Sequence, residues 1–206
     1  MNLKNSFSKD IYGLNAKILK HIVDVIKEPL SLILNKCIHE SVFPDELKVA
    51  KVIPLFKKGD KQDCSNYRPI SILPIISKIF EKIIHTRLLQ FFEKNKILHE
   101  NQFGYQKGKS TTKALIEIVG AIVDSFNAKE NIGATLLDLS KAFDCVNHEY
   151  LLHKLHHYGI RGDTHNLIAS YLSNRTQKVV IGNNISECKL LDIGVPQGSI
   201  LGPLFF

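Results

Sequence analysis

The residues best suited to chemistry lie between positions 134 and 147, where the chain reads ATLLDLSKAFDCVN. An apolar run, Ala134-Thr135-Leu136-Leu137, ends on a carboxylate at Asp138; five residues later Phe143 is followed directly by a second acid, Asp144. The run has the composition of a short buried strand. A carboxylate at the end of such a strand costs desolvation energy unless something pairs with it. A divalent cation is one partner, because hard oxygen ligands suit Mg²⁺. Capping of the following turn is the other. Spacing alone leaves both open.

A second set is basic. Lys48, Lys51, Lys57, Lys58 and Lys61 crowd a segment in which Val49, Val52, Ile53, Leu55 and Phe56 form an extended apolar run. Lys57-Lys58-Gly59-Asp60 reads as a hairpin turn. Beyond it, Pro69 disfavours helix at Arg68 and holds Asn66-Tyr67-Arg68 extended. Lysine as a point charge and arginine as a bidentate fork could hold a triphosphate. A soluble edge hairpin protected by lysine explains the pattern equally well.

Two glycine-bearing loops complete the inventory. Residues 102–112 carry Tyr105, Lys107 and Lys109 ahead of a helix, a placement suited to a nucleic-acid backbone. Only three residues separate Gly104 from Gly108, where a Walker loop needs four, and no clear buried strand precedes them. That excludes the ATPase reading. In Gly194-Val195-Pro196-Gln197-Gly198-Ser199 the glycines and proline make a rigid turn whose backbone a flat ligand can approach. The Gln197 amide offers a donor and an acceptor to a nucleotide or base edge. A plain strand-to-helix turn accounts for the same residues.

Other candidates fall away. His148, His153, His156 and His157 cluster in sequence, but no further ligand is placed for zinc, so they read as surface histidines. His85 and His99 have no partners at metal-ligand spacing either. Cys37, Cys64, Cys145 and Cys188 are far apart and read as reduced intracellular thiols, not a disulfide framework or a zinc site.

The elements that must position these residues follow from periodicity. Residues 15–27 and 30–38 read as two short helices punctuated by Pro29. A long amphipathic helix opens at Ser77, with Ile79, Phe80, Ile83, Ile84, Leu88, Phe91 and Phe92 inward; Lys78, Glu81, Lys82, Arg87 and Glu93 largely face water. Residues 111–126 make a helix with Leu115, Val119, Ile122, Val123 and Phe126 inward. Further helices are expected over 147–158, ended by Gly159, and over 163–173. A hairpin is expected from 176–181 and 186–193.

Composition frames the whole. The 206 residues are 44% hydrophobic and 23% charged, enough to bury an ordinary globular core. Lys and Arg number 27 against 20 acids, a net +7 that favours a polyanionic partner. No apolar run reaches membrane-spanning length and the N-terminus has no signal-peptide h-region. The sequence stops on Gly202-Pro203-Leu204-Phe205-Phe206 without a polar tail, so a piece of a longer polypeptide is expected.

Four stretches in this order resemble the reverse-transcriptase domain of non-LTR retrotransposons: Asn66-Tyr67-Arg68-Pro69-Ile70-Ser71, Gln102-Phe103-Gly104-Tyr105, Asp138-Leu139-Ser140-Lys141-Ala142-Phe143-Asp144, and Gly194-Val195-Pro196-Gln197-Gly198-Ser199. The resemblance runs from about position 10 to the end. It implies an α+β right-hand polymerase (reverse-transcriptase) fold, fingers plus partial palm, mostly helical with short antiparallel strands. The implied divisions are a helical extension over 1–47, fingers over 48–133 and partial palm over 134–206.

The same resemblance implies roles. Asp138 matches the first catalytic aspartate, with the Leu139 carbonyl as a further metal ligand. Phe143 matches the steric gate beneath the sugar, and Arg68 with Lys57 or Lys58 the triphosphate contacts. Gln197 and Gly198 match the loop near nucleotide and template. Asp144 belongs to the pattern without a metal role. Two Mg²⁺ ions, an RNA template, a DNA primer, dNTP and the remainder of a polyprotein are the implied cofactor and partners. The implied setting is an intracellular ribonucleoprotein, nuclear or cytoplasmic, neither secreted nor in a membrane. The family's Tyr- or Phe-x-Asp-Asp motif does not occur in these residues, so activity of the 206 residues alone is not expected. The rivals are a non-enzymatic nucleic-acid-binding remnant of a decayed element and an unrelated helical interaction domain.

Overall fold

A computed structural model describes residues 8–206; the opening residues 1–7, read above for a signal peptide, lie outside them. In chain order the elements are α1 (Ala16–His39), β1 (Val49–Phe56), β2 (Tyr67–Ile72), α2 (Ile75–Lys94), α3 (Thr111–Asn127), α4 (His148–His157), α5 (Gly162–Leu172), β3 (Arg175–Ile181), β4 (Asn184–Ile185), β5 (Lys189–Leu191) and α6 (Gly202–Phe205). They fall into two compact units. One joins the residues up to Thr86 with Lys141–Phe206; the other is Arg87–Ser140.

In the first unit a sheet runs β2-β1-β3-β4, with β5 also paired to β3. β1 and β2 are antiparallel, with Ile53 opposite Ile70 and Leu55 opposite Arg68. β1 and β3 run parallel, Val49 beside Thr176 and Val52 beside Val179. This corrects the expectation of antiparallel strands alone. The long helical connection between them is what a parallel pair requires. In the core, Phe43 stacks on Phe80 with ring centroids 4.8 Å apart and meets Tyr171 edge-on at 5.0 Å. Asp10 ties the N-terminal segment to this core: one carboxylate oxygen accepts the Leu14 N–H at 2.9 Å, the other the Ile75 N–H at the start of α2, also at 2.9 Å. A carboxylate there satisfies a first-turn donor of the helix.

Four further expectations about these elements need correction. α1 is one helix of 24 residues with Pro29 inside it, not two. Proline removes the bond to the carbonyl four residues back and crowds that carbonyl; the residue that bears it, Val25, is 81% exposed, so the helix can give there and water can serve the freed oxygen. The β1–β2 connection is also longer than a tight turn. The Lys57 N–H bonds the Asn66 carbonyl across its base, while the Asp60 and Asp63 side chains accept the Gln62 and Ser65 N–H groups and shape the loop.

The other two corrections lie in Arg87–Ser140. Residues 134–138 form no strand, and Leu136 and Leu137 are 93% and 88% exposed. A strand needs a neighbour for its N–H and C=O groups, and none of the five strands pairs with this run. α3 starts where expected, with Ser110 Oγ accepting the Lys113 N–H at 3.2 Å. Its apolar residues Leu115, Val119, Val123 and Phe126 are nevertheless exposed. Periodicity identifies an apolar face; it does not supply what covers it.

Candidate functional site

Three pieces of the first unit meet at the loop 194–201. The first is a single 3-10 turn, Ala142–Cys145, entered through Lys141 in the left-handed region at φ 52. The Gly194 N–H donates to the Val146 carbonyl and the Val195 N–H to the Phe143 carbonyl, both at 2.8 Å. Gly194 has φ +86, and a Cβ there would fall 2.8 Å from the Asp144 carbonyl oxygen, so only glycine lets the strands of chain close. His148 Nε2 lies 2.7 Å from the Gly194 carbonyl. A carbonyl only accepts, so this nitrogen carries the proton. Asn147 caps α4 by accepting the Tyr150 N–H at 3.0 Å, which fixes the far end of the turn.

The second piece is β2. The Ser71 N–H donates to the Gln197 carbonyl at 2.9 Å. Gly198, at φ +128, lies so close that a Cβ would sit 2.5 Å from the Ser71 carbonyl oxygen. Arg68 stands on this strand, exposed, and Lys57 and Lys58 are exposed in the preceding loop. Leu55, Arg68, Ile53 and Ile70 share one face of the hairpin by register. A cleft of about 360 Å³ lies against that face, lined by Ile53, Leu55 and Ile70, with Asp10, Lys78 and Gly198 also on its wall.

The third is α2. Glu81 is fully buried and accepts the Ile200 N–H at 2.5 Å and the Leu201 N–H at 3.4 Å, while Ser77 Oγ donates to its other oxygen at 3.3 Å. Burial pushes the carboxyl upward from its ordinary range; the Arg175 charge and these donors oppose it. Arg175 is itself buried, donates to the Tyr171 carbonyl at 3.0 Å and lies 4.5 Å over the Tyr171 ring. Burial, followed by the Glu81 charge, pushes the Tyr171 hydroxyl up as well. Ser199 Oγ then accepts the Gly202 N–H at 2.9 Å and starts α6.

Phe143, Asp144, Gln197 and Gly198 thus share one cluster, and the strand bearing Arg68 is bonded to it. The Phe143 ring lies 5.2 Å from that of Phe206. The side-chain amide of Gln197 meets the Asp144 carboxylate, with Nε2 at 3.0 Å from both oxygens. Asp138 and Leu139 belong to the other unit and are exposed on a segment without regular structure. Among the described residues no three His, Cys, Asp or Glu side chains gather into a group able to hold a metal. The residues in hand therefore do not fit a two-ion centre. In the same unit Lys109 donates to the Glu100 carbonyl and lies 4.7 Å over the Phe103 ring. Lys107 is exposed, as is Tyr105, which holds φ 57.

Sequence reasoning missed Glu81, Arg175, the Asp144–Gln197 pair and the His148 bond. Glu81 corrects the expectation that it faces water. Its signal was present: it lies four residues after Ser77 and three before Ile84, inside the stripe that also holds Phe80 and Leu88. Arg175 and the pair depend on contacts distant in sequence and left none.

Comparison with known proteins bears on this arrangement. Residues 56–206 match the family model described as reverse transcriptase (RNA-dependent DNA polymerase). The chain is 34% identical, over 86% of its length, to the probable RNA-directed DNA polymerase from transposon BS of Drosophila melanogaster, covering 20% of that protein. It is 32% identical over 99% of its length to the RNA-directed DNA polymerase from mobile element jockey of the same species, covering 22% of it. It is 30% identical over 73% of its length to the Pol polyprotein from type-1 retrotransposable element R2 of Popillia japonica, covering 21% of it. The chain spans about a fifth of the length of these relatives. The non-LTR resemblance drawn from four short motifs thus holds along most of the sequence, and the chain belongs to the reverse transcriptase (RNA-dependent DNA polymerase) family.

Proposed function

We propose that these residues form the fingers and part of the palm of an RNA-directed DNA polymerase, which extends a DNA primer with dNTP on an RNA template. The observation that carries the reading is the closure of the 194–201 loop on both the Phe143 turn and the Arg68-bearing strand. In this reading Arg68 with Lys57 or Lys58 binds the triphosphate, and Phe143 lies beneath the sugar and disfavours a 2′-hydroxyl. Gln197 and Gly198 border the nucleotide and template. Tyr105, Lys107 and Lys109 contact nucleic-acid backbone. The working divisions are 1–47, 48–133 and 134–206, and the setting is an intracellular ribonucleoprotein.

Asp138 and the Leu139 carbonyl would contribute to a two-Mg²⁺ site only with carboxylates from elsewhere in a longer polypeptide. One carboxylate cannot hold two ions, so no catalytic step is assigned to these residues alone. Primer extension on an RNA template provides the test. The 206-residue chain should give no product; measurable extension would overturn the incomplete-site reading. In a polypeptide of the relatives' length, Asp138→Asn should abolish extension, whereas Arg68→Ala should mainly weaken nucleotide binding. Full activity of Asp138→Asn would remove the metal role. Nucleic-acid binding with no extension at either length would favour the rival reading, a non-enzymatic remnant.

A further inference from the structure

The Asp144 carboxylate faces one atom of its neighbour, Gln197 Nε2, with both oxygens at 3.0 Å. An ionised carboxylate has lone pairs and no proton to give, so it can only accept. The nitrogen side of the Gln197 amide must therefore point at Asp144, and Oε1 must point the other way. A glutamine amide is otherwise free to turn over, exchanging donor and acceptor at little cost. A charged acceptor removes that freedom, because the turned amide would set two oxygens against each other.

Asp144 is itself held in place. It is part-buried in the 3-10 turn, the flanking carbonyls of Phe143 and Val146 accept the Val195 and Gly194 N–H groups, and its own backbone carbonyl lies where a Gly194 side chain would otherwise be. The Gln197 backbone is fixed from the other side by Ser71. Both ends of the pair are anchored, so the amide can be oriented without dragging the loop.

We propose that Asp144 is a positioning residue: it locks the Gln197 amide so that the loop presents an acceptor, never a donor, to its ligand. This rests on the reading that the loop borders the incoming nucleotide. The ligand group implied is a hydrogen-bond donor, a hydroxyl or an N–H, at the nucleotide or its paired base. Asp144 itself touches no ligand in this scheme, which explains a carboxylate beside Phe143 without giving it a metal.

The test is an exchange of charges read by NMR on the ¹⁵N-labelled 206-residue chain, titrated with dTTP and Mg²⁺. In the unmodified chain the Gln197 side-chain amide resonances should be displaced from those of exposed glutamines, and Asp144→Ala should return them there. Unchanged resonances in Asp144→Ala would overturn the pairing. Gln197→Glu sets two carboxylates together and should weaken dTTP binding about tenfold or more. In the double variant D144N/Q197E the new amide at position 144 can donate to the new carboxylate at position 197, so the pair is rejoined with its direction reversed while residue 197 still offers an acceptor outward. It should recover affinity to within about threefold of the unmodified chain, a coupling that a merely structural role would not produce. A double variant no better than Gln197→Glu would overturn the proposal. Gln197→Ala binding dTTP as well as the unmodified chain would instead overturn the nucleotide reading of the loop, while the amide resonances would still report whether the pair exists.

Discussion

Glu81 accepts the backbone N–H of Ile200 at 2.5 Å, across 119 residues of chain. A helix read as amphipathic thus carries a carboxylate on its buried face, spent on the amides that follow the glycine–proline loop. Buried backbone donors must find partners, and a loop cannot supply them from its own strand neighbours. Glu81 does so here, and its removal should act on the loop.

Glu81→Ala leaves the Ile200 and Leu201 amides without an acceptor and Arg175 without a nearby opposing charge. The expected loss of unfolding free energy is about 3–5 kcal/mol. Urea denaturation followed by circular dichroism measures it, and a loss below about 1 kcal/mol would show that water or relaxation replaces the carboxylate.

Titration of Glu81 should be visible in stability. Its folded-state carboxyl is held above the ordinary range, by burial first, with Arg175 and the backbone donors opposing. Between its unfolded and its raised folded values the folded chain holds more protons than the unfolded one. Stability contributed by this group is therefore present at low pH and falls as pH rises through that window. Comparing Glu81→Gln with the unmodified chain over the same pH series isolates the slope. The glutamine variant should be the flatter; parallel curves would mean the carboxyl is not perturbed.

Three glycines should separate by environment. Gly198→Ala and Gly194→Ala each combine a positive φ with a Cβ at 2.5 or 2.8 Å from backbone oxygen, and each should cost about 2 kcal/mol or more. Gly120→Ala, inside α3 with nothing within 4 Å of the added Cβ, should stabilise by up to about 1 kcal/mol. Thermal unfolding of the three variants checks the order.

Pro29→Ala should restore the N–H that α1 lacks and raise stability by about 1 kcal/mol or more. A loss in the same unfolding assay would mean that the helix bends at Pro29 to fit its neighbours.

Much of this architecture was legible because it is local. The α4 helix with its Gly159 stop, the extended runs of β1 and β2 and the 194–199 turn follow from caps, periods and glycines a few residues apart. The rest fails where a residue's environment is set from a distance. The apolar run before Asp138 has strand composition but no paired neighbour, and the apolar face of α3 has no cover within its unit among the described residues. Pro29 shows the converse, a local breaker overridden within a long helix. The motifs that single out Phe143 and Gln197 were legible. Their joining through Asp144 was not, since nothing in the spacing relates positions 53 residues apart.

If the Phe143–Gln197 cluster holds deoxynucleotides as proposed, the decisive measurement is the affinity of the chain for dCTP against CTP, with and without Phe143→Ala. The unmodified chain should prefer dCTP, and the preference should collapse in Phe143→Ala because CTP gains affinity. Equal affinities in the unmodified chain, or a preference that Phe143→Ala leaves unchanged, would contradict it.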